Sequence, residues 1–471
     1  MDTQRYEIGM IGLGVMGRNM LLNMADHGFA VAGYDKDTSK VEALIKEAEG
    51  NDVHGVADLK DFVGVLRSPR AIIMLVPAGP PVDSVIAGLL PLLDKGDLIV
   101  DAGNSYFKDT NLRAQNLAAK GIPFLGVGVS GGEEGARRGP SIMPGGPMDA
   151  YERVRPVLEA VAAKVDGEPC VTYLGPGSAG HFVKTVHNGI EYAVMELLAE
   201  SYGLMKRGLG LSDDELHQVF EEWNQGELSS YLVDITSRIL TKVDETTGKR
   251  LIDVILDVGK QNGTGMWTSQ SAMELQVPAP TIDFAVTMRD MSVFEQQRRT
   301  AAGVFNRPVP PFTGDRKAFL AQLGRALYLG TIAAYAQGMA VLAAASEKYE
   351  YHLDLEAVAR IWRGGCIIRA ALLEDIRKAY RSQPGLANLL LDPEVSEKVM
   401  AQQEDLRRVV GAAIEFGLPV PCFMTTLAYF DGYRSAWLPA NLIQAQRDYF
   451  GSHSYERIDI KGTFHTDWTR G

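Results

Sequence analysis

The run YEIGMIGLGVMG, residues 6–17, constrains the fold more than any other part of this chain. Continuous apolar character without alternation suits a strand covered on both faces. It ends in Gly12, Gly14 and Gly17, at the start of a helical pattern. Glycines so placed allow a tight turn, close approach of a pyrophosphate and tight helix–strand packing, and the helix N-terminus faces the phosphates. The turn GLGVMG offers Gly12, Leu13, Gly14, Val15, Met16 and Gly17 as cofactor contacts. A second strand, FAVAGYD, closes on Asp35. An acid there accepts hydrogen bonds from the adenosine ribose hydroxyls and repels a 2′-phosphate; the plainer reading is a helix cap or a loop acid. Lys36 could pair with a 2′-phosphate, but Asp35 and Asp37 flank it. On charge alone NAD is favoured over NADP.

Further apolar runs (AIIMLVP, DLIVDAGN, IPFLGVGVSG) alternate with helical stretches over the first 178 residues, the pattern of a parallel sheet with crossover helices. After the Gly/Pro-rich break YLGPGSAG, residues 173–180, helical periodicity dominates to residue 438. Ser212 and Glu215 form a capping box there, followed on one face by Leu216, Val219, Phe220 and Trp223. The expected architecture is a Rossmann-like α/β domain over 1–178, a large all-α domain over 179–438 and an extended C-terminal tail over 439–471. The tail carries Tyr449, Phe450, Phe464 and Trp468 with little amphipathic period, so it needs another surface to pack on.

The balance of 47 basic against 59 acidic residues, −12 overall, argues against nucleic acid or an anionic membrane as partner. Cys170, Cys366 and Cys422 lie far apart without metal-ligand spacing, which reads as buried thiols in a reducing compartment and as no metal site. No run approaches the apolar length of a membrane helix, and no secretory signal is visible; the cytoplasm is the expected location.

Candidate chemistry gathers at three places. Asn104, in DAGNS, sits at the carboxyl edge of the sheet, where doubly wound folds bind ligands. GVSGGEEGARRGPSIMPGG, residues 128–146, reads as a Gly-rich loop. In it Ser130, Gly131 and Gly132 either serve a carboxylate or belong to a flexible connection. In GHFVKTVHNGIEY, residues 180–192, Lys184, His187, Asn188 and Glu191 share one helical face. These are either a solvated pair with a satisfied core histidine, or a proton-transfer site. In the second reading burial lowers the Lys184 pKa so that it takes a hydroxyl proton during hydride loss. A 3-hydroxy acid so oxidised becomes a β-keto acid, which loses CO2 when the ammonium polarises its carbonyl. Glu191 then protonates the enediol carbon.

These motifs, with RGGCIIR and LPANLIQAQRDYFGSH, resemble the decarboxylating 6-phosphogluconate dehydrogenases over essentially the whole chain. The resemblance implies oxidative decarboxylation of 6-phosphogluconate to ribulose 5-phosphate, in the pentose phosphate pathway, with NAD or NADP and no metal. It implies Lys184 as base then acid and Glu191 as the final acid. It implies substrate contacts from Asn104, Ser130, Gly131, Gly132, His187, Asn188, Tyr192 and Arg289, and cofactor contacts from Val76, Pro77, Ala78 and Asn104. Arg447 and His453 match phosphate contacts that the family supplies from the other subunit's tail, which implies a homodimer.

Two departures stand out. The family's usual Asn-Arg-Thr reads Asp35, Lys36 and Asp37 here, and Pro77 replaces a second cation; both changes remove positive charge from the 2′-phosphate site. In GKQNGTGMWT, Asn262 and Met266 stand where the family has lysines, and Lys260 is the expected substitute at the substrate phosphate. The rival readings are a dehydrogenase of another phosphorylated 3-hydroxy acid and, further off, a non-catalytic nucleotide sensor.

Overall fold

The computed structural model describes residues 5–469. The chain forms two compact units, Met1–Thr426 and Leu427–Gly471. The first opens with the expected alternation: β1 (Ile8–Ile11), α1 (Val15–Asp26), β2 (Val31–Tyr34), α2 (Thr38–Glu47), β3 (Val53–Val56), α3 (Leu59–Val65) and β4 (Ala71–Met74). It continues through α4 (Pro80–Leu89), β5 (Leu98–Asp101), α5 (Phe107–Ala118), β6 (Phe124–Ser130), α6 (Gly132–Arg138), β7 (Ser141–Gly145) and α7 (Met148–Val161).

These strands form one sheet in the order β3-β2-β1-β4-β5-β6-β7. β1 to β6 run parallel, with Ile8 opposite Val31 and Gly9 opposite Ile72, while β7 returns antiparallel to β6. The strand order reverses between β1 and β4, so the crevice beyond their carboxyl ends is the natural ligand site of such a sheet. Apolar residues cover both faces. Met20, Leu21 and Met24 of α1 pack with Val154 and Leu158 of α7 on one side. Phe62, Val82, Ile86 and Leu117 pack on the other. Each such side chain contributes about 1.5–3 kcal/mol on burial.

Two expectations change here. The stretch 128–146 is not a loop: it holds the end of β6, the helix α6 and the strand β7. Glu133 and Glu134 in the first turn of α6 and Arg137 and Arg138 in the last complement its dipole, and buried Ile142 and Met143 give β7 its core face. The strand β3 has no clear sequence pattern because VHGV is short, edge-placed and mostly half-buried.

A two-residue hairpin, β8 (Lys164–Val165) and β9 (Glu168–Pro169), leads to the helices. They are α8 (Ala179–Gly203), α9 (Asp213–Trp223), α10 (Tyr231–Thr241), α11 (Thr264–Glu274), α12 (Pro280–Val293) and α13 (Glu295–Val304). Then come α14 (Arg316–Lys348), α15 (Leu355–Ile361), α16 (Leu372–Ser382), α17 (Pro393–Phe416) and α18 (Pro421–Tyr433). The capping box of α9 is present, with Ser212 and Glu215 bonded reciprocally. One helix, α14, is long and apolar enough to cross a membrane, contrary to the reading of the sequence, but 89% of its apolar window is buried. It is a core helix. Its Gly338 lets α8 approach so closely that a Cβ there would lie 2.5 Å from Ile190.

The second unit completes α18 and adds α19 (Ala440–Gly451) and a hairpin of β10 (Tyr455–Glu456) and β11 (Thr463–Phe464). The stretch expected as an extended tail is therefore a helix followed by a hairpin. Its polarity pattern hid the helix because nearly every residue of α19 is exposed, with Asp448 buried.

Candidate active site

The crevice at the reversal point is a cleft of about 610 Å³. Gly14, Val15, Met16 and Gly17 line it from α1, Val76, Pro77 and Ala78 from the loop after β4, and Gly103 and Asn104 from the loop after β5. The chain turns so sharply at the glycines that a Cβ on Gly17 would lie 1.9 Å from the Gly12 carbonyl oxygen. No side chain caps α1 and no acid stands in its first turn, so its N-terminal N–H groups and dipole are free for phosphate. The cleft's size, its reversal-point position and this uncapped helix fit a dinucleotide.

Asp35 is not among the lining residues. It is 8% exposed and ties the end of β2 to the glycine turn, its Oδ2 accepting the Leu13 N–H at 2.9 Å and its Oδ1 the Asp37 N–H at 3.0 Å. Asp37 caps α2 by accepting from the Ser39 N–H, while Lys36 is exposed. Asn104 is held by its neighbours. The buried Asp101 carboxylate accepts the Gly103 N–H at 3.1 Å and the Ser105 hydroxyl at 2.6 Å, on either side of Asn104. Nothing in the sequence marked Asp101 beyond its place at a strand end.

The helix α8 runs against β6. The two backbones are so close that a Cβ on Gly128 would lie 2.3 Å from Lys184 Cβ. This packing buries the polar stripe: Lys184 is 6% exposed, His187 0% and Asn188 8%. The Lys184 ammonium donates to Asn188 Oδ1 at 2.7 Å and lies 3.4 Å from His187 Nδ1. His187 Nδ1–H donates to the same amide oxygen at 2.9 Å. With its proton on Nδ1, the ring accepts the Ser130 hydroxyl at Nε2, 3.1 Å away. Glu191 Oε2 stands 3.9 Å from His187 Nδ1.

Burial governs the protonation of this cluster. It lowers the Lys184 pKa from 10.5, against the opposing pull of Glu191 and Cys366. It keeps His187 well below its ordinary value, helped by the Lys184 charge, and raises Glu191 from 4.5 despite Lys184 and Arg289. A base that is easily neutral and an acid that is easily protonated thus share one helix face.

Tyr192 is buried beneath Arg289, whose guanidinium carbon lies 3.4 Å from the ring centroid. Asn262 and Thr264 line the cleft, whereas Lys260 is exposed two residues away. Trp362 and the RGGCIIR segment after it wall in the His187 and Ser130 end of this α8 cluster. Trp362 meets His187 edge-on with centroids 5.7 Å apart, the Ile367 N–H points to Ser130 Oγ at 3.4 Å, and burial pushes the Cys366 thiol up to about 12. These wall residues had no local signal, because their partners lie far away in the chain. Arg447 and His453 lie in the second unit, both exposed.

Residues 7–175 match the family described as the NAD binding domain of 6-phosphogluconate dehydrogenase, and residues 180–468 match the 6-phosphogluconate dehydrogenase C-terminal domain. The chain is 53% identical, over 467 residues, to the NADP(+)-dependent, decarboxylating 6-phosphogluconate dehydrogenase of Bacillus subtilis, covering 99% of this chain and 100% of that protein. It is 51% identical to the decarboxylating enzyme of Escherichia coli, covering 98% and 99%. The Plasmodium falciparum 6-phosphogluconate dehydrogenase, studied in apo form and with NADP+ and 6-phosphogluconate, superimposes with a TM-score of 0.95 at 43% identity, covering 98% of this chain and 100% of that one.

Proposed function

The chain belongs to the 6-phosphogluconate dehydrogenase family, and on that premise we propose how its own residues divide the work. The reaction is the oxidative decarboxylation of 6-phosphogluconate to ribulose 5-phosphate and CO2, with reduction of NAD(P). The single observation that supports our assignment is the polar face of α8, where Lys184, His187 and Asn188 are buried and hydrogen-bonded together and the half-buried Glu191 stands 3.9 Å from His187.

When bound, the nicotinamide ring accepts the hydride from carbon 3 of the substrate. Neutral Lys184 takes the proton of the carbon-3 hydroxyl. It returns that proton to the new carbonyl oxygen as the carboxylate leaves as CO2, giving an enediol. Glu191 then protonates the former carbon 2, now carbon 1, while Lys184 accepts the remaining hydroxyl proton. A turnover therefore ends with Lys184 charged and Glu191 ionised, and one proton returns from the first to the second before the next. His187 and Asn188 orient the amine, and Ser130, Gly131, Gly132, Asn104 and Tyr192 bind the sugar acid. Arg289 and Lys260 face its phosphate.

The glycine turn 12–17, Val76, Pro77, Ala78 and Asn104 bind the cofactor. Asp35, Lys36 and Asp37 bias it towards NAD, since two carboxylates near the ribose disfavour a 2′-phosphate. We divide the chain by function as the sequence suggested, at 1–178, 179–438 and 439–471. The active unit is a homodimer, with Arg447 and His453 of each tail completing the other subunit's phosphate site. Large apolar side chains left open support it, among them Phe305 at 79% and Phe450 at 72% exposure. A cytoplasmic setting accords with three free, buried cysteines.

The test is 6-phosphogluconate with NAD and NADP in parallel, following reduced cofactor and CO2 together. One CO2 per reduced cofactor is expected. Hydride transfer without CO2 would overturn the reading in favour of a simpler 3-hydroxy acid dehydrogenase.

A further inference from the structure

In the second unit the Asp448 carboxylate has no solvent exposure and accepts four hydrogen bonds. The donors are the Ser454 N–H at 2.8 Å, His465 Nδ1–H at 2.8 Å, the Thr466 N–H at 3.1 Å and Trp468 Nε1–H at 2.8 Å. This one side chain draws the end of α19, the turn after it and the segment that follows β11 together.

The turn it gathers is strained. Ser452 and Ser454 both adopt left-handed backbone, with φ of 50° and 62°, on either side of His453. Non-glycine residues rarely adopt that region and persist there where their surroundings over-determine them. Gly451 leaves room for the imidazole: with a Cβ there, 2.7 Å from His453 Nε2, the ring would have to shift. The His453 ring in turn meets Phe450 edge-on, with centroids 6.0 Å apart. Arg447 directly precedes Asp448, and His453 directly precedes the Ser454 N–H that Asp448 holds. Both side chains are exposed, while the carboxylate between them in sequence is sealed away.

We infer that Asp448 is a positioning residue that holds Arg447 and His453 as a preformed phosphate clamp before the tail meets its target. This rests on the reading of the tail as the phosphate-binding arm of the dimer. A strained turn locked by four hydrogen bonds spares the binding step the ordering of a loose terminal segment. A carboxylate beside the clamp repels phosphate less than a bare one would, because four donors face its oxygens.

The experiment compares Asp448→Asn, Trp468→Phe and Gly451→Ala with Arg447→Ala and His453→Ala, all in the full-length dimer. Asp448→Asn is expected to raise the KM for 6-phosphogluconate about tenfold, with kcat within about threefold and the KM for NAD(P) unchanged. Trp468→Phe, which removes one donor, and Gly451→Ala, which displaces the His453 ring, are expected to raise the same KM by smaller factors. They decide the matter if Asp448→Asn does not assemble. If kcat and both KM values worsen together, Asp448 is only a structural hub and the inference fails. If Arg447→Ala and His453→Ala raise the substrate KM but none of the other three does, the inference likewise fails while the tail reading stands. If the Arg447 and His453 variants leave that KM unchanged, the tail reading itself falls, and this inference with it.

Discussion

Lys184 Nζ lies 2.7 Å from Asn188 Oδ1, one helical turn along α8, and that amide oxygen also accepts His187 Nδ1–H at 2.9 Å. One acceptor therefore fixes both the amine and the imidazole tautomer. The arrangement orients Lys184 without giving it a carboxylate partner, so its burial is free to lower its pKa. An ion-paired lysine would stay charged and serve poorly as a base.

Replacing Lys184 by Met keeps an unbranched apolar stem of similar size and removes the amine. Reduced cofactor should form about 10²–10⁴ times more slowly, in single-turnover as well as steady-state measurements. The substrate should still bind. A variant that keeps more than a tenth of the rate would exclude Lys184 as the base.

The pH profile follows from the directions of the shifts. In the proposed mechanism catalysis starts from neutral Lys184 and protonated Glu191. A lysine lowered from 10.5 is neutral at lower pH than usual, and a carboxyl raised from 4.5 stays protonated to higher pH. Both limbs of the kcat/KM profile should therefore lie inside the interval from 4.5 to 10.5. Initial rates across that range check this, and a limb at or beyond either end would contradict it.

The proposed preference for NAD should be reversible by charge. The double variant Asp35→Asn, Lys36→Arg removes one acid and adds a planar cation suited to phosphate. The kcat/KM ratio for NADP over NAD should rise about tenfold. Asn at 35 keeps one oxygen for the Leu13 N–H and gives up only the bond from the Asp37 N–H, so the glycine turn should survive. An unchanged ratio would place the preference elsewhere.

Glu200 makes a separate stability prediction. It accepts the Cys422 and Phe423 N–H groups at the start of α18, at 2.7 and 3.0 Å. Burial pushes its pKa up to about 8, and that of Glu196, a turn earlier, to about 7. A carboxyl raised on folding costs nothing below its unfolded pKa and weighs against the fold as pH rises towards its folded pKa. Wild-type Tm should therefore fall relative to that of Glu200→Gln as pH climbs from 5 to 9. A Tm difference independent of pH would refute this.

The legible parts of this molecule were those whose partners are close in sequence. The glycine turn 12–17 and the stripe of Lys184, His187, Asn188 and Glu191 depend on local geometry, so period and spacing revealed them. The burial of that stripe was not legible, since it comes from β6, where Gly128 admits α8. Ser130 gave its chemistry but not its place, because its partners are His187 and Ile367. The helix α6 was hidden by glycines that suggested a loop, although its acids and bases sit at the proper ends. Asp448 gave no signal at all; its donors at 454, 465, 466 and 468 meet only once the hairpin has formed.

The acid–base division of α8 is tested most directly by where the last proton goes. In D2O the wild-type enzyme should place deuterium on one face of carbon 1 of ribulose 5-phosphate, delivered by Glu191 and readable by NMR. Glu191→Gln should still reduce the cofactor and release CO2, but should discharge the enediol to be protonated on both faces. Full retention of stereochemistry in that variant would show that another group delivers the proton and would contradict the account.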